Sequence, residues 1–253
     1  MRTTRFLAAL AASILGGLPM QADAQILGTA ESYAVLAGET ITNTGPTVLQ
    51  GDLGLAPGTS VTGFPPGTVT GNMNIANSVA LQAQIDLTTA YNYLADLPSD
   101  ADLSDLDLGG RILLAGTYTF SSSAQLTGLL QLDAQGDADA RWVFQIGSTL
   151  TTASASQVLM LNGGDPCNVY WQVGSSATLG TETAFLGHIV ALTSITMNTG
   201  ATILGGSALA RNGSVTLDSN IIMACEAAVI PGPAAALPWI AGLLGTYARR
   251  RRK

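Results

Sequence analysis

Charged residues are scarce in this 253-residue sequence, and basic ones are almost missing from its middle. Asp, Glu, Lys and Arg together make up 11% of the chain. Residues 26–225 contain fifteen acidic residues, three arginines and no lysine, which is a net charge of −12. A nucleic-acid-binding protein needs a basic surface that neutralises phosphates. The composition therefore excludes nucleic acid as a partner.

Residues that carry out catalysis or bind metals are equally few. His188 is the single histidine, so a histidine-rich metal site is excluded, and its strand-like surroundings favour a structural role over that of a base. The two cysteines lack CxxC spacing, and no glycine-rich phosphate-binding loop opens a helix. No isolated pair of carboxylates stands out, although a solenoid hydrolase with such a pair stays open as a third alternative. The sequence predicts a protein that is not an enzyme and has no cofactor.

The stretch from Trp142 to Ile222 repeats itself imperfectly. The segment WVFQIGS at positions 142–148 matches VYWQVGS at positions 169–175, and Thr196 recurs further along as Thr216. A period of about 20 residues, with apolar and Ser/Thr positions alternating inside each unit, indicates a β-solenoid whose stacked coils share one core. The hydrophobic content of 47% is too high for a disordered chain.

Two segments between positions 74 and 107 depart from this pattern. Residues 74–97 carry apolar side chains at three- and four-residue spacing and end at Pro98, which predicts one long helix lying along a face of the coils. Residues 98–107 alternate aspartates with other residues. Aspartates are ligands for Ca²⁺, but the glycine and terminal glutamate of an EF-hand loop are missing, which favours a solvated loop.

The N-terminus predicts export. Residues 1–24 combine two arginines, a short apolar run and an Ala-Asp-Ala site, as a secretory signal peptide does; an apolar helix of the mature fold is the alternative. Export would place Cys167 and Cys225 where they can pair, and two free buried thiols are the alternative.

The C-terminus, residues 226–253, predicts a second sorting element. Pro231-Gly232-Pro233 precedes an uncharged run at positions 234–248 and a terminal cluster of arginines and a lysine. The run is shorter than the ~20 residues that cross a bilayer comfortably, but the basic cluster is typical of a stop-transfer signal. The layout resembles the Pro-Glu-Pro sorting signals of Gram-negative bacteria, with Gly232 in place of the glutamate; a plain tail anchor is the competing interpretation. The expected product is transiently anchored in the inner membrane by this segment and then secreted or held at the outer cell surface.

Threonine and serine recur at matching positions of successive coils, in the part of the chain between the two terminal segments. Stacked strands about 4.8 Å apart would arrange these side chains as a flat grid. With these residues the chain resembles the ice-binding-protein-like family of secreted β-solenoids from cold-adapted microbes. The resemblance spans residues 27–225 and is carried by Leu36-Ala37-Gly38, Thr42-Asn43-Thr44-Gly45-Pro46-Thr47, Gly51-Asp52-Leu53-Gly54, Val61-Thr62-Gly63-Phe64-Pro65-Pro66-Gly67, Phe120-Ser121-Ser122-Ser123-Ala124-Gln125-Leu126 and the Gln-Ile-Gly-Ser and Gln-Val-Gly-Ser pair.

The resemblance implies a mainly β protein, a right-handed discontinuous β-solenoid of triangular section with one long α-helix packed alongside, in a domain of residues 25–225. It also implies a flat face that adsorbs to ice and its ordered water. Glu182 departs from the motif of that face. The residues that match the motif fully are Thr44, Thr47, Thr199 and Thr202, and those that match in part are Thr152, Ser154 and Asn220. Thr181 and Thr183, on either side of Glu182, are expected on the same face.

Two functions are therefore open at this point. One is ice binding without catalysis, which inhibits the growth or recrystallisation of ice. The other is a cell-surface adhesin or matrix protein with the same fold, which would bind exopolysaccharide or the cell envelope.

Overall fold

The computed structural model describes residues 26–225. The predicted signal peptide (1–24) and the predicted sorting segment (226–253) lie outside the described residues. Within them the chain forms a three-sided solenoid of parallel strands with one α-helix, so the mainly β fold predicted from the sequence is confirmed.

The described chain opens with a short 3-10 turn at Gly28–Ala30, followed by two coils of three strands each and a seventh strand. Each coil is a triangle, because the chain changes direction at two corners before it returns to the next layer. The strands are β1 (Tyr33–Ala37), β2 (Thr40–Thr44), β3 (Val48–Gln50), β4 (Asp52–Leu55), β5 (Ser60–Thr62), β6 (Thr68–Val69) and β7 (Met73–Ile75).

Helix α1 (Ser78–Ala95) then carries the chain to the other end of the solenoid. The Asn77 side chain accepts a hydrogen bond from the Ala80 N–H at 2.9 Å, which satisfies one of the free donors of the first turn. The predicted helix is confirmed, although it begins later and ends earlier than the predicted range of 74–97.

Two short strands and five complete coils follow, with a second 3-10 turn at Pro166–Asn168. The prediction of stacked coils over residues 142–222 is confirmed. The strands are β8 (Ala101–Asp102), β9 (Ile112–Leu114), β10 (Gly116–Phe120), β11 (Ala124–Leu126), β12 (Leu129–Asp133), β13 (Trp142–Ile146), β14 (Leu150–Thr152), β15 (Gln157–Leu161), β16 (Val169–Val173), β17 (Ala177–Leu179), β18 (Ala184–Leu186), β19 (His188–Ala191), β20 (Ile195–Met197), β21 (Thr202–Leu204), β22 (Ala208–Ala210), β23 (Val215–Asp218) and β24 (Ile221–Met223).

The strands stack into three parallel sheets, one for each side of the solenoid. Sheet A has the order β7-β4-β1-β22-β19-β16-β13-β10-β8, sheet B the order β11-β14-β17-β20-β23-β2-β5, and sheet C the order β6-β3-β24-β21-β18-β15-β12-β9. The first coil therefore lies against the last one, β1 beside β22 and β2 beside β23. The stack of coils is continuous in space, but its order differs from the order of the coils in the sequence.

The core is the inside of the triangle. Inward side chains of sheet A form an aromatic column, with Phe144 stacked on Trp171 at 3.9 Å between ring centroids and on Tyr118 at 5.6 Å. At the corners after sheet A small residues let the coils approach: a Cβ atom on Gly147 would lie 2.7 Å from the carbonyl oxygen of Ser121 one layer away. Glycine avoids that clash, so the Gly-Ser repeats mark corners.

The outer face of sheet A is a second apolar layer, closed by helix α1. Leu87 and Leu94 are buried in a cluster with Leu36, Val190 and Leu209 of the sheet. The side-chain amide of Gln145 on β13 donates to carbonyl groups at the end of the helix, at 2.8 Å to both Leu94 and Leu97. It satisfies acceptors that a helix end leaves without a partner.

Cys167 and Cys225 form a disulfide with a Cα–Cα distance of 5.9 Å and a sequence separation of 58 residues. It joins the 3-10 turn before β16 to the end of the last coil. The predicted pairing is confirmed.

Candidate functional site

The outer faces of sheets A and C differ from that of sheet B in the side chains that they present to a partner. Sheet A has no free face, because helix α1 covers it. Sheet C is free and mostly apolar, although Gln50, Thr68 and Gln157 are also exposed on it. Its exposed large apolar side chains are Ile112, at 60% exposure, Leu114, Leu129, Leu159, Leu204, Ile221 and Met223.

Sheet B carries a row of threonines, one from each of six adjacent strands. The strand registers place Thr62 beside Thr42, Thr42 beside Thr216, and so on along the sheet. We call this row the threonine rank. With strands about 4.8 Å apart, its six members extend over about 24 Å. In spatial order they are Thr62, Thr42, Thr216, Thr196, Thr178 and Thr151, and Gln125 continues the row on β11.

The side chains of the threonine rank are exposed or half-buried and keep most of their hydrogen-bonding capacity. Among the described residues the one side-chain hydrogen bond within the rank joins Thr42 and Thr216 at 3.4 Å. The inward neighbours of each threonine are mostly buried apolar residues, such as Ile195 and Met197 around Thr196. Rigid packing below and free hydroxyls above give a pre-ordered polar surface.

A second row of hydroxyls lies at the preceding outward position of each coil, at the corner with sheet A. We call it the serine rank; several of its members are bonded to one another, Thr40 to Ser214 at 2.7 Å and Ser123 to Thr149 at 2.8 Å. These bonds hold neighbouring coils in register. The serine rank consists of Ser60, Thr40, Ser214, Ser194, Ser176, Thr149 and Ser123.

Ionisable groups are rare on the strands of sheet B. Within residues 26–225 the one on an outward position of these strands is Asp218, at the end of β23. Its carboxylate accepts hydrogen bonds from the hydroxyls of Thr199 and Ser219. The face is thus flat, hydroxyl-rich and nearly uncharged.

The structure separates the predicted face residues into four groups. Thr44 is exposed on β2 of sheet B, beside Asp218. Ser154, Thr181 and Thr199 are exposed in the turns between sheets B and C, next to the face but not on its strands. Glu182 lies in such a turn as well, with a positive φ of 57°. Thr202 lies half-buried on sheet C.

The remaining four predicted residues, Thr47, Thr152, Thr183 and Asn220, are buried, so their prediction as face residues is wrong. The chain turns at the corner between sheets B and C, and these four side chains point inward there. The hydroxyls of Thr152 and Thr183 bond to each other at 2.8 Å. The Asn220 amide donates to the carbonyl oxygens of Asn198 and Ala201 at 2.9 and 3.0 Å. These side chains satisfy corner backbone groups that would otherwise be buried without partners.

The Thr-Gly-x-Thr motif does not identify the threonine rank, although the sequence carries a different signal for it. Each member sits between two inward residues that are mostly apolar, as in Val215-Thr216-Leu217. In a strand that alternation places the central residue on the outer face. Three members, Thr178, Thr196 and Thr216, stand in apolar-Thr-apolar units and could be identified from the sequence in this way. The other three are placed in the row by the strand registers.

The single histidine lies in a buried polar cluster outside sheet A, under the N-terminal 3-10 turn. Nδ1 of His188 is 2.8 Å from the Ser207 hydroxyl, and its Nε2 is 3.6 Å from Oε1 of Glu31. Burial lowers the pKa of His188 to about 4, against the smaller opposite effect of a hydrogen bond with the Cys167 backbone. Burial, helped by the negative charge of Asp165, raises the pKa of Glu31 to about 7.

Between these two pKa values both side chains are neutral, so the contact is not an ion pair. Ser207 and His188 are fully buried. A substrate cannot reach the serine, and the arrangement cannot act as a catalytic triad in the folded protein.

Aspartates of the acidic loop accept hydrogen bonds from backbone N–H groups. Asp102 accepts from the Ser104 N–H at 2.8 Å, and hydrogen bonding with Ser104 lowers the pKa of its carboxyl. Asp107 accepts from the N–H groups of Gly109 and Thr127 at 2.6 and 2.9 Å. These aspartates close turns, which agrees with the solvated-loop interpretation. No helix within residues 26–225 is long and apolar enough to cross a membrane.

The fold and the face define a class of protein: a three-sided parallel β-solenoid with a helix on one side and a flat threonine surface on another. Its relatives agree. The sequence model of the family described as Ice-binding-like matches residues 35–223. The chain belongs to this family.

Individual relatives support the same assignment. The chain is 52% identical over 242 residues to the "Ice-binding protein" of Nostoc sp. (strain HG1), covering 92% of this chain and 90% of that protein. It is similar to the crystal structure of the ice-binding protein from the Antarctic ascomycete Antarctomyces psychrotrophicus, with a TM-score of 0.76 and 42% identity, over 79% of this chain and 98% of that one. An ice binding protein from an Antarctic biological consortium has a TM-score of 0.75 and 44% identity, over 86% and 96% of the two chains.

Proposed function

We propose that this protein binds ice, without catalysis, through the outer face of sheet B. The observation that carries the proposal is the threonine rank, a row of exposed or half-buried threonines on six adjacent strands. Relatives that bear the name ice-binding protein support it. The comparisons give no support to the adhesin alternative.

Ice is an uncharged, periodic surface, so affinity has to come from many weak contacts repeated at a regular spacing. Holding one bridging water costs about 0–2 kcal/mol, so a row of fixed hydroxyls and methyls can order several. The surface loses little entropy on adsorption because the apolar core and the bonded serine rank already hold it rigid. The nearly uncharged strands of sheet B suit such a partner better than an ionic one.

The other two sides fit this role less well. Helix α1 covers sheet A, and sheet C presents mostly leucine and isoleucine side chains, with no continuous row of hydroxyls. The test is recrystallisation inhibition and thermal hysteresis of the purified protein over a wide concentration range. Activity in both assays is expected, and a protein that is inactive in both at high concentration would exclude ice binding.

We also propose that the protein works outside the cytoplasm of a Gram-negative bacterium. Residues 1–24 would direct export, and residues 226–253 would anchor the chain transiently in the inner membrane before secretion or retention in the cell envelope or exopolysaccharide. The disulfide supports this, because disulfides persist in oxidising compartments. Deleting residues 231–253 should release the protein into the medium. Equal cell association of the deleted and full-length chains would contradict the anchor.

A further inference from the structure

We propose that the chain binds a zinc ion between Glu31, His188, Cys225 and Cys167 while its two cysteines are still thiols. This inference concerns the buried cluster outside sheet A and does not depend on ice binding. A carboxylate oxygen of Glu31, a ring nitrogen of His188 and Sγ of Cys225 lie within 4.8 Å of one another, and all three side chains are buried. Cys167 is bonded to Cys225 and so brings a second sulfur to the same place.

The distances between these atoms fit a tetrahedral zinc site. With Zn–S near 2.3 Å and Zn–N near 2.0–2.1 Å, the sulfur–nitrogen edge of a tetrahedron is about 3.5 Å, and a nitrogen–oxygen edge is about 3.4 Å. Sγ of Cys225 is 3.5 Å from Nε2 of His188, and Oε1 of Glu31 is 3.6 Å from the same nitrogen. Glu31, His188 and Cys225 already lie near these separations. After reduction the two sulfurs have to separate to about 3.8 Å, which is the sulfur–sulfur edge of such a tetrahedron.

The histidine is already oriented for this role. Its Nδ1 is 2.8 Å from the Ser207 hydroxyl, which leaves Nε2 directed at the carboxylate and the sulfur. Histidines that bind metals usually donate their second ring N–H to such a partner, and that contact fixes the tautomer and the ring orientation. Because His188 and Ser207 are fully buried, water would not compete with the protein ligands.

The disulfide and the metal site exclude each other. Thiols exist in the newly made chain and after reduction. The binding of one Zn²⁺ then displaces the two thiol protons and any proton that the Glu31 carboxyl holds; these go to the buffer and leave two thiolates and a carboxylate as ligands. In the disulfide form the sulfurs are bonded to each other and carry no charge. Zinc would therefore tie the turn before β16 to the end of the last coil before the disulfide does.

The sequence hides this site because its ligands come from four separate segments. Glu31 follows the first 3-10 turn, Cys167 lies in the second, His188 opens β19 and Cys225 follows β24. No pair of ligands has the short spacing by which zinc sites are found.

The test compares the two redox forms of the full chain at neutral pH without oxygen. A trialkylphosphine reduces the disulfide; one water supplies the oxygen of the phosphine oxide and the two thiol hydrogens. After removal of excess metal, the reduced protein should retain one zinc per chain and the disulfide form none. With Co²⁺ instead of zinc, thiolate-to-cobalt absorption bands should appear in the reduced form alone. If the reduced chain loses its fold without metal, zinc should restore its β circular dichroism.

Variants distinguish this site from binding by loose thiols. His188→Gln and Glu31→Gln should lower zinc affinity sharply, and Ser207→Ala should lower it about 10–100-fold, as losses of outer-shell partners do. Undiminished affinity in His188→Gln and Glu31→Gln would overturn the proposal. So would equal zinc uptake by the disulfide form, or a reduced chain that neither takes up zinc nor refolds with it.

Discussion

The outer faces of sheets B and C come from the same coils and the same alternation of inward and outward side chains, yet their surfaces are opposite in kind. In one and the same coil, Thr196 on β20 faces outward from sheet B and Leu204 on β21 from sheet C. Both sides are built from parallel strands stacked layer on layer. The difference shows that the fold fixes the spacing of the outward positions, while the residue at each of these positions decides what the face can bind.

The largest effect should come from placing the same charge on each face. Thr196→Arg puts a long cation in the middle of the threonine rank and should abolish ice activity, because it prevents close contact and disturbs ordered water. Leu204→Arg, on the same coil, is the matched control and should leave activity intact. Recrystallisation inhibition and thermal hysteresis measure the effect, and thermal unfolding checks the fold. If Leu204→Arg is the inactive variant, sheet C is the binding face.

Reduction of the disulfide should affect stability strongly and the binding face weakly. A cross-link that closes 58 residues stabilises the fold by about 4 kcal/mol in the chain-entropy account. Cys225→Ser in metal-free buffer should lower the unfolding free energy by a similar amount, measured by urea titration. Ice activity near the freezing point should persist while the protein stays folded, since the bond joins the turn before β16 to the segment after β24 and lies outside the strands of sheet B. A loss of activity at a temperature where the fold is intact would show that the faces are coupled.

Substitutions at the corner between sheets B and C should lower the stability of the fold rather than weaken ice binding. Thr152→Val removes the hydroxyl that accepts from the buried Gly180 N–H at 2.8 Å, so the unfolding free energy should fall by about 1–3 kcal/mol. Thr151→Val, one residue earlier but exposed on the threonine rank, should change stability by less than about 0.5 kcal/mol. Urea titration of both variants provides the measurement. Equal destabilisation of the two would contradict the inward placement of the corner threonines.

The smallest effect in the native, disulfide-bonded protein should be that of pH on the Glu31–His188 pair, which lies beneath neither free face. Its charged or titratable neighbours are Asp165, Tyr170 and Arg141. In the folded state the pKa values are about 7 for Glu31 and about 4 for His188, against ordinary values of 4.5 and 6.5. Between pH 4.5 and 6.5 the folded state therefore holds one proton, on Glu31, and the unfolded state holds one, on His188. Equal proton counts mean no net slope of stability with pH from this pair.

In a variant that lacks one of the two side chains, the unfolding free energy should change with pH because of the other, by up to about 1.4 kcal/mol per pH unit. In His188→Gln the contribution of Glu31 is complete below pH 4.5 and is lost as the pH rises to about 7. In Glu31→Gln the contribution of His188 is complete above pH 6.5 and is lost as the pH falls to about 4. Urea titrations from pH 4 to 7 should thus slope in opposite directions for the two variants. Slopes of the same sign in both variants would contradict a raised pKa of Glu31 together with a lowered pKa of His188.

Local patterns in the sequence determined much of this protein. The spacing of the WVFQIGS and VYWQVGS units predicted the stacked coils, and the three- and four-residue apolar spacing before Pro98 predicted the helix. Both signals arise from neighbours along the chain, because strand alternation and helix periodicity are local properties. The low charge and the recurring threonines also predicted the kind of face the coils would carry.

The tertiary structure alone decided which threonines form that face. Thr42 meets Thr216 across 174 residues because the first coil stacks on the last, a juxtaposition that no local pattern contains. At the corners a single turn decides whether a hydroxyl points to solvent or to a backbone group, and Thr47 and Thr152 turned inward because buried N–H and carbonyl groups needed partners. The cluster around His188 arose in the same way, from four segments that meet only when the coils close.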